Sequence, residues 1–181
     1  MSDFTKVAIY AEKCYDNANC EYGGLTYMTH INMVVEYVRI HQNIFYRPID
    51  IEVVLRAAYC HDLMEDAKQT YNNISSVCGS RVADVVLAVT DVPAENRLMK
   101  HLLTMGKTVK DYRAIILKMC DILANVTYSK TSGSSMYGKY VEEYQYRKPI
   151  FIKALAWYKS ELNQDILEDL WNSLDVAHGV N

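Results

Sequence analysis

Apolar residues recur every third or fourth position through nearly the whole chain, and neither alternating strand-like runs nor Asn-Gly or Asp-Gly hairpin turns interrupt them. That period predicts an all-α protein. The first helix is expected from near Ser2, whose hydroxyl can cap it, to about Asp16, where "NANCEYGG" breaks the pattern. "THINMVVEYVRIHQ" gives the second. Pro48 and Asp50 open a third, Ile51 to about Glu65, in which Val53, Val54, Ala57 and Ala58 are too apolar for a surface element. Thr70 reads as the cap of a short helix closed by Gly79, and "SRVADVVLAVTD" as another that stops before Pro93. An amphipathic "AENRLMKHLLTM" leads to Gly106, and the apolar run "YRAIILKMCDILANV" is the candidate central helix of the core. "SKTSGSS" is the clearest loop. Met136 to about Leu174 reads as two or three helices with a break or kink at Pro149.

Composition narrows the picture. The 181 residues contain no internal repeat and no stretch rich in Pro, Gly or Ser that would divide them, so a single domain over 1–181 is expected. A formal charge of −3, from nearly balanced acids and bases, gives no general attraction to nucleic acid or to an acidic membrane. No apolar run reaches the roughly 18 residues that a membrane span needs, and "MSDFTKVAIYAEK" carries charges where a signal peptide is apolar. A cytoplasmic protein is expected. Five cysteines without a CxxC pair fit reduced thiols better than a disulfide framework, so Cys14, Cys20, Cys60, Cys78 and Cys120 read as packing residues.

The exception to ordinary helical patterning is "AAYCHDLMEDAKQT", which places His61, Asp62, Glu65 and Asp66 at the end of an apolar helix. On a continued helix, His61 and Glu65 share one face, and Asp62 and Asp66 the next. Three ionised carboxylates in a half-buried place repel one another, which raises their pKa values or calls for a cation. Two more polar residues interrupt apolar helices, His30 in "HINMVVEYV" and Asp121 in "IILKMCDILANV". Singly, His30 could be a cap or a satisfied core histidine, and Asp121 could pair with Lys118. Together, His30, His61, Asp62 and Asp121 supply two nitrogen and two oxygen donors, a set suited to Mn²⁺, Fe²⁺ or Zn²⁺.

These stretches, "YMTHINMVVEYV", "LRAAYCHDLMEDAKQT", "ISSVCGSRVADVVLAVTD" and "ILKMCDILANV", carry a resemblance. In their order and spacing the chain resembles the HD-domain phosphohydrolases, all-helical bundles. It is most similar to the small alarmone hydrolases related to the RelA/SpoT hydrolase domain, of the metazoan SpoT-homologue type. The resemblance covers about residues 4–160 and leaves 161–181 as C-terminal helices. It implies one metal, usually Mn²⁺ with Co²⁺ a further alternative, bound by His30, His61, Asp62 and Asp121. Glu65 would orient or deprotonate the attacking water, and Asp66 would position the nucleophile or the ribose. Asn125 matches a position that contacts the nucleoside, and Tyr144 one that contacts substrate. Tyr140 shares a stripe with Tyr137 and Tyr144, and such a stripe is more often core than a base-stacking platform, while Lys139, Arg147, Lys148, Arg97 and Lys100 are cations able to meet phosphates or simply to face solvent.

The chain departs from that family at two places. "NANCEYGG" stands where a basic "RxKD"-like stretch holds the guanine nucleotide, and Ile122 replaces the basic residue after the last aspartate. The implied activity is hydrolysis of (p)ppGpp at its 3′-pyrophosphate. Alternatives are a deoxynucleoside triphosphate or monophosphate hydrolase, an NADPH phosphohydrolase, or, from another class, a nucleotide-binding sensor without turnover. Retention of both Glu65 and Asp66 argues against the sensor. The expected partner is a small-molecule nucleotide, with neither nucleic acid nor membrane, and a homo-oligomer is left open.

Overall fold

A computed structural model describes residues 3–180, so the expected cap at Ser2 lies outside the described residues. Among the described residues the chain forms nine α-helices: α1 (Asp3–Asn17), α2 (Met28–Ile40), α3 (Pro48–Cys60), α4 (Tyr71–Cys78), α5 (Ser80–Val89), α6 (Arg97–Thr108), α7 (Tyr112–Ser132), α8 (Met136–Leu155) and α9 (Gln164–His178). The helical pattern is therefore realised as an all-α fold. Its centre is α7, which packs against α2, α3, α5, α6, α8 and α9. That position explains why Ala114, Ile115, Ile116, Leu117, Met119 and Cys120 are all buried, with Lys118 alone breaking the apolar run, since a helix covered on most sides keeps little polar face. Burial of each large side chain there contributes roughly 1.5–3 kcal/mol, which fixes the backbone that carries Asp121.

Local chemistry sets the helix ends. Thr70 accepts from the Asn73 N–H, Asn96 from Met99 and Asp111 from Arg113, each capping the helix that follows. Pro48 starts α3 with Asp50 in its first turn, as the sequence indicates.

Several boundaries differ from expectation. First, α3 stops at Cys60 rather than near Glu65. The His61 Nδ1 lies 2.9 Å from the Ala58 carbonyl, the acceptor that the Asp62 N–H needs to extend the helix. Residues 61–66 instead form tight turns, with the Leu63 N–H on Cys60 O at 3.0 Å and the Glu65 N–H on Asp62 O at 3.1 Å. Second, "NANCEYGG" holds a minimal hairpin, β1 (Glu21–Tyr22) against β2 (Leu25–Thr26), because Gly23 and Gly24 adopt φ of +60° and +79°. Third, Gly106 lies inside α6. Fourth, the first half of "SKTSGSS" is helical, since Ser129 and Thr131 return their hydroxyls to the Val126 and Thr127 carbonyls, and the helix ends at left-handed Gly133. Fifth, α8 runs through Pro149. Pro149 and Gln145 both face solvent, so water hydrates the carbonyl that loses its partner. The break comes later, in the 3₁₀ turn Ala156–Glu161, and α9 then extends to His178, past Leu174.

Candidate active site

Three elements converge on one buried point. His30 comes from the first turn of α2, His61 and Asp62 from the turn after α3, and Asp121 from the middle of α7. The His30 and His61 Nε2 atoms are 3.2 Å apart. Asp62 Oδ2 lies 3.4 Å from His30 Nε2 and 3.1 Å from His61 Nε2, and Asp121 Oδ1 lies 3.3 Å and 3.7 Å from the same two atoms. His30, His61 and Asp62 each place one donor atom within 4.8 Å of the others. Asp121 joins that group through the imidazoles rather than through Asp62.

The protonation pattern can be read from the partners. His61 Nδ1 meets only a carbonyl acceptor, so it carries the proton and leaves Nε2 to the cluster. His30 Nδ1 is buried and finds no hydrogen-bond partner among the described residues, and that ring is held instead by the stacked Tyr22, at 4.8 Å between centroids and 30° between planes. Burial opposes charge on both imidazoles, but the Asp62 and Asp121 carboxylates outweigh it and raise both pKa values above the ordinary histidine range. Two nitrogens and two carboxylate oxygens crowded this closely require a positive charge among them. Metal–ligand bonds of about 2.1 Å separate adjacent donors by about 3.0 Å in octahedral and about 3.4 Å in tetrahedral geometry. The donor spacings found here fall around those values, so the residues fit a divalent cation.

The surrounding groups hold the donors in place. Lys118 Nζ pairs with Asp121 Oδ2 at 2.9 Å, and the Asn125 amide donates to Asp121 Oδ1 at 2.6 Å. Burial disfavours the Asp121 charge, yet Lys118 and then the two histidines hold its pKa well below the usual carboxylate range. Burial likewise opposes the charge of Asp62, and His61 and His30 overcome it. Tyr27 donates to Asp62 Oδ2 at 2.7 Å and also to Asp66 Oδ2. Glu65 is exposed as a residue, but burial of its carboxyl, helped by the charges of Asp62 and Asp91, outweighs Lys118 and pushes its pKa up to about 7. Its Oε1 accepts the Asp91 N–H at 2.8 Å. Asp66 is also raised by burial, against the pull of Tyr27.

A cavity of about 120 Å³ opens beside Asp121, lined by Arg97, His101, Lys118, Asn125 and Tyr140 among others. A larger groove of about 430 Å³ between α8 and α9 has chiefly apolar walls, Leu155, Leu167 and Trp171 among them, and none of the site residues.

The structure thus brings together His30, His61, Asp62, Asp121 and Asn125 and sets Glu65 and Asp66 beside them, on a turn rather than on one helical face. Tyr140 lines the adjoining cavity. Tyr144 is engaged elsewhere: its hydroxyl donates to Asp175 Oδ1 at 2.7 Å and its ring stacks on His178 at 3.9 Å, both on α9. Lys139 is exposed on α8, and Lys148 pairs with Asp175. Sequence reasoning missed Tyr22 and Tyr27. Tyr27 lies one turn before His30, a spacing that could have shown it. Tyr22 has no such signal, since only the fold brings its hydroxyl to Asn125 Oδ1 at 3.0 Å.

No protein-family model and no curated protein matches this chain. Among solved structures, a metazoan ortholog of SpoT that hydrolyzes ppGpp and plays a role in starvation responses is similar to it, with a TM-score of 0.70 and 19% identity, over 98% of this chain and 94% of that one. At that identity the likeness establishes the shared fold, along nearly the full length of both chains. None of the helices, among the described residues, is long and apolar enough to cross a membrane.

Proposed function

We propose that this protein is a divalent-metal-dependent nucleotide phosphohydrolase, and that its substrate is (p)ppGpp, cleaved at the 3′-pyrophosphate. One observation carries the reading: the two-nitrogen, two-oxygen donor cluster with a carboxyl of raised pKa beside it, set in a fold shared with a ppGpp hydrolase. His30, His61, Asp62 and Asp121 would hold the cation, with Mn²⁺ first and Fe²⁺, Zn²⁺ or Co²⁺ as alternatives. When bound, it would supply Lewis acidity toward a phosphoryl oxygen and make water a better nucleophile at neutral pH.

The chain's own groups do the rest. The Asp91 N–H occupies Glu65 Oε1, which leaves Oε2 to orient the attacking water and accept its proton. A pKa near 7 suits that role, because a substantial share of the group is ionised at neutral pH and the carboxylate is still basic enough to take a proton. Attack at the 3′-linked phosphorus then breaks its bond to the ribose oxygen and releases pyrophosphate. Asp66, anchored by Tyr27, positions the nucleophile or the ribose. Asn125 and Tyr140 face the nucleoside side, and Arg97 and Lys118 line a cavity suited to phosphate oxygens.

One observation favours a second reading. The hairpin that stands in place of the basic nucleotide clamp carries Glu21 and Tyr22 rather than cations, which fits another nucleotide such as a deoxynucleoside phosphate or NADPH. The deciding experiment is phosphate and pyrophosphate release with Mn²⁺ from ppGpp beside dNTPs, dNMPs and NADPH, with Glu65→Ala as the blank. Pyrophosphate from ppGpp alone supports the first reading. Preferred turnover of another nucleotide replaces the substrate and keeps the chemistry, and silence across the panel removes the enzyme reading.

A further inference from the structure

Directly behind the candidate site two cysteines meet in the core. Cys60 is the last residue of α3 and Cys78 the last of α4. Their Sγ atoms lie 3.7 Å apart although 18 positions separate them in sequence. Both are buried, Cys60 fully and Cys78 to 5% exposure. Contact alone would fit packing, but both cysteines stand at helix ends. After Cys60 the chain leaves the helix for the turns of 61–66, and after Cys78 it turns at Gly79 with φ of +91°. Each sulfur belongs to the last residue of its own helix, so closing the remaining distance of about 1.7 Å to a bond of about 2.05 Å strains two helix ends rather than two helix bodies. The hydrogen bond with Cys60 holds the Cys78 thiol below its usual pKa, against burial and with help from Arg56, which marks Cys78 as the more nucleophilic sulfur.

We infer that Cys60 and Cys78 form a reversible redox-modification site that closes to a disulfide under a hydroperoxide and loosens the donor cluster through His61. In the first step the Cys78 sulfur attacks the peroxide, breaking the O–O bond to give a sulfenic acid and, with hydrogen peroxide, one water. In the second, the Cys60 sulfur attacks the sulfenic sulfur, forming the S–S bond and releasing another water. Two thiols lose two electrons and the peroxide gains them, and a dithiol reductant reverses the change. A transient disulfide of this kind belongs in a reducing compartment, unlike a structural one.

The link to function follows from adjacency and rests on the metal reading above, whereas the crosslink itself does not. His61 follows Cys60 directly, and its Nε2 lies 3.2 Å from His30 and 3.1 Å from Asp62, spacings at which the three can share one cation. Pulling the end of α3 toward α4 also disturbs the Ala58 carbonyl that orients the imidazole. Disturbing such a ligand-orienting contact weakens metal binding by about tenfold or more.

The test oxidises the metal-free protein with hydrogen peroxide, maps crosslinks by non-reducing peptide mass analysis, and then titrates Mn²⁺ by calorimetry. The expected result is a linked Cys60–Cys78 peptide, Mn²⁺ affinity about tenfold weaker, recovery with dithiothreitol, and no response in Cys78→Ser. Cys14→Ser should respond like the parent. No linked peptide, a link through Cys14 or Cys120, or an equal affinity loss in Cys78→Ser would overturn the site. A linked protein with unchanged Mn²⁺ affinity would overturn the coupling to His61. A reduced protein that binds no Mn²⁺ would overturn the metal reading instead, while the crosslink map would still decide the thiol pair.

Discussion

Two buried polar clusters share the walls of one cavity and settle their charges in opposite ways. On one side, Asp62 and Asp121 drive the His30 and His61 pKa values up, and among the described residues Lys118 is the one fixed cation in contact with either carboxylate. On the other, Glu143 on α8 is bound by both Arg97 and Arg147, and Arg147 in turn donates to His101 Nε2 at 2.9 Å. There burial, with Arg147 beside it, pushes the His101 pKa down to about 4. Tyr146 completes the His101 contacts at 2.7 Å from Nδ1. In the second cluster the one carboxylate, Glu143, is answered twice by cations of the chain and His101 stays neutral beside them. In the first, two carboxylates share one fixed cation, so the rest of the positive charge must come from protons on the imidazoles or from a bound divalent cation. Burial is common to both, so it is the unanswered charge, rather than burial, that marks a site.

The comparison breaks most severely at Glu65. Glu65→Gln should lower turnover by about 10²–10⁴-fold while Mn²⁺ stays bound, and the parent rate should rise with pH through about 7 as the carboxyl ionises. A pH–rate profile of both proteins checks this, and an unchanged profile in the variant would remove Glu65 as base. In the second cluster the loss should fall on stability instead. Arg147→Met strips one partner from Glu143 and from His101 and should cost about 3 kcal/mol in chemical unfolding, with Mn²⁺ affinity preserved.

Smaller effects sharpen the contrast. Tyr22→Phe removes the hydroxyl that supports Asn125 and should weaken Mn²⁺ binding by about tenfold in a calorimetric titration. Acid should affect the second cluster gradually. With His101 held at about 4 against an ordinary 6.5, the unfolded chain binds the extra proton first, so stability is lost as pH falls through that interval. His101→Gln should flatten the decline in melting temperature over the same range.

The all-α fold and the donor set were legible because both rest on short-range regularities. The apolar period of α7 and its interruption by a carboxylate at Asp121 predict a covered helix with a residue placed for chemistry, and α7 is that helix. The turn at 61–66 was not legible, because it depends on a histidine side chain competing for the Ala58 carbonyl. The continuity of α8 through Pro149 depends on which face meets solvent, which sequence period alone does not settle there. Tyr144 sits in a suggestive stripe, but α9 takes up its hydroxyl from 31 residues away. The contribution of Tyr22 requires the Gly23–Gly24 turn to fold the hairpin onto α2 and α7.

The most direct test is metal stoichiometry after equilibration with Mn²⁺ and removal of free ion, in the parent, Asp62→Ala, Asp121→Ala and Glu65→Ala. The account predicts about one equivalent per chain in the parent and in Glu65→Ala, and loss from both aspartate variants. Full occupancy in Asp62→Ala and Asp121→Ala would contradict it.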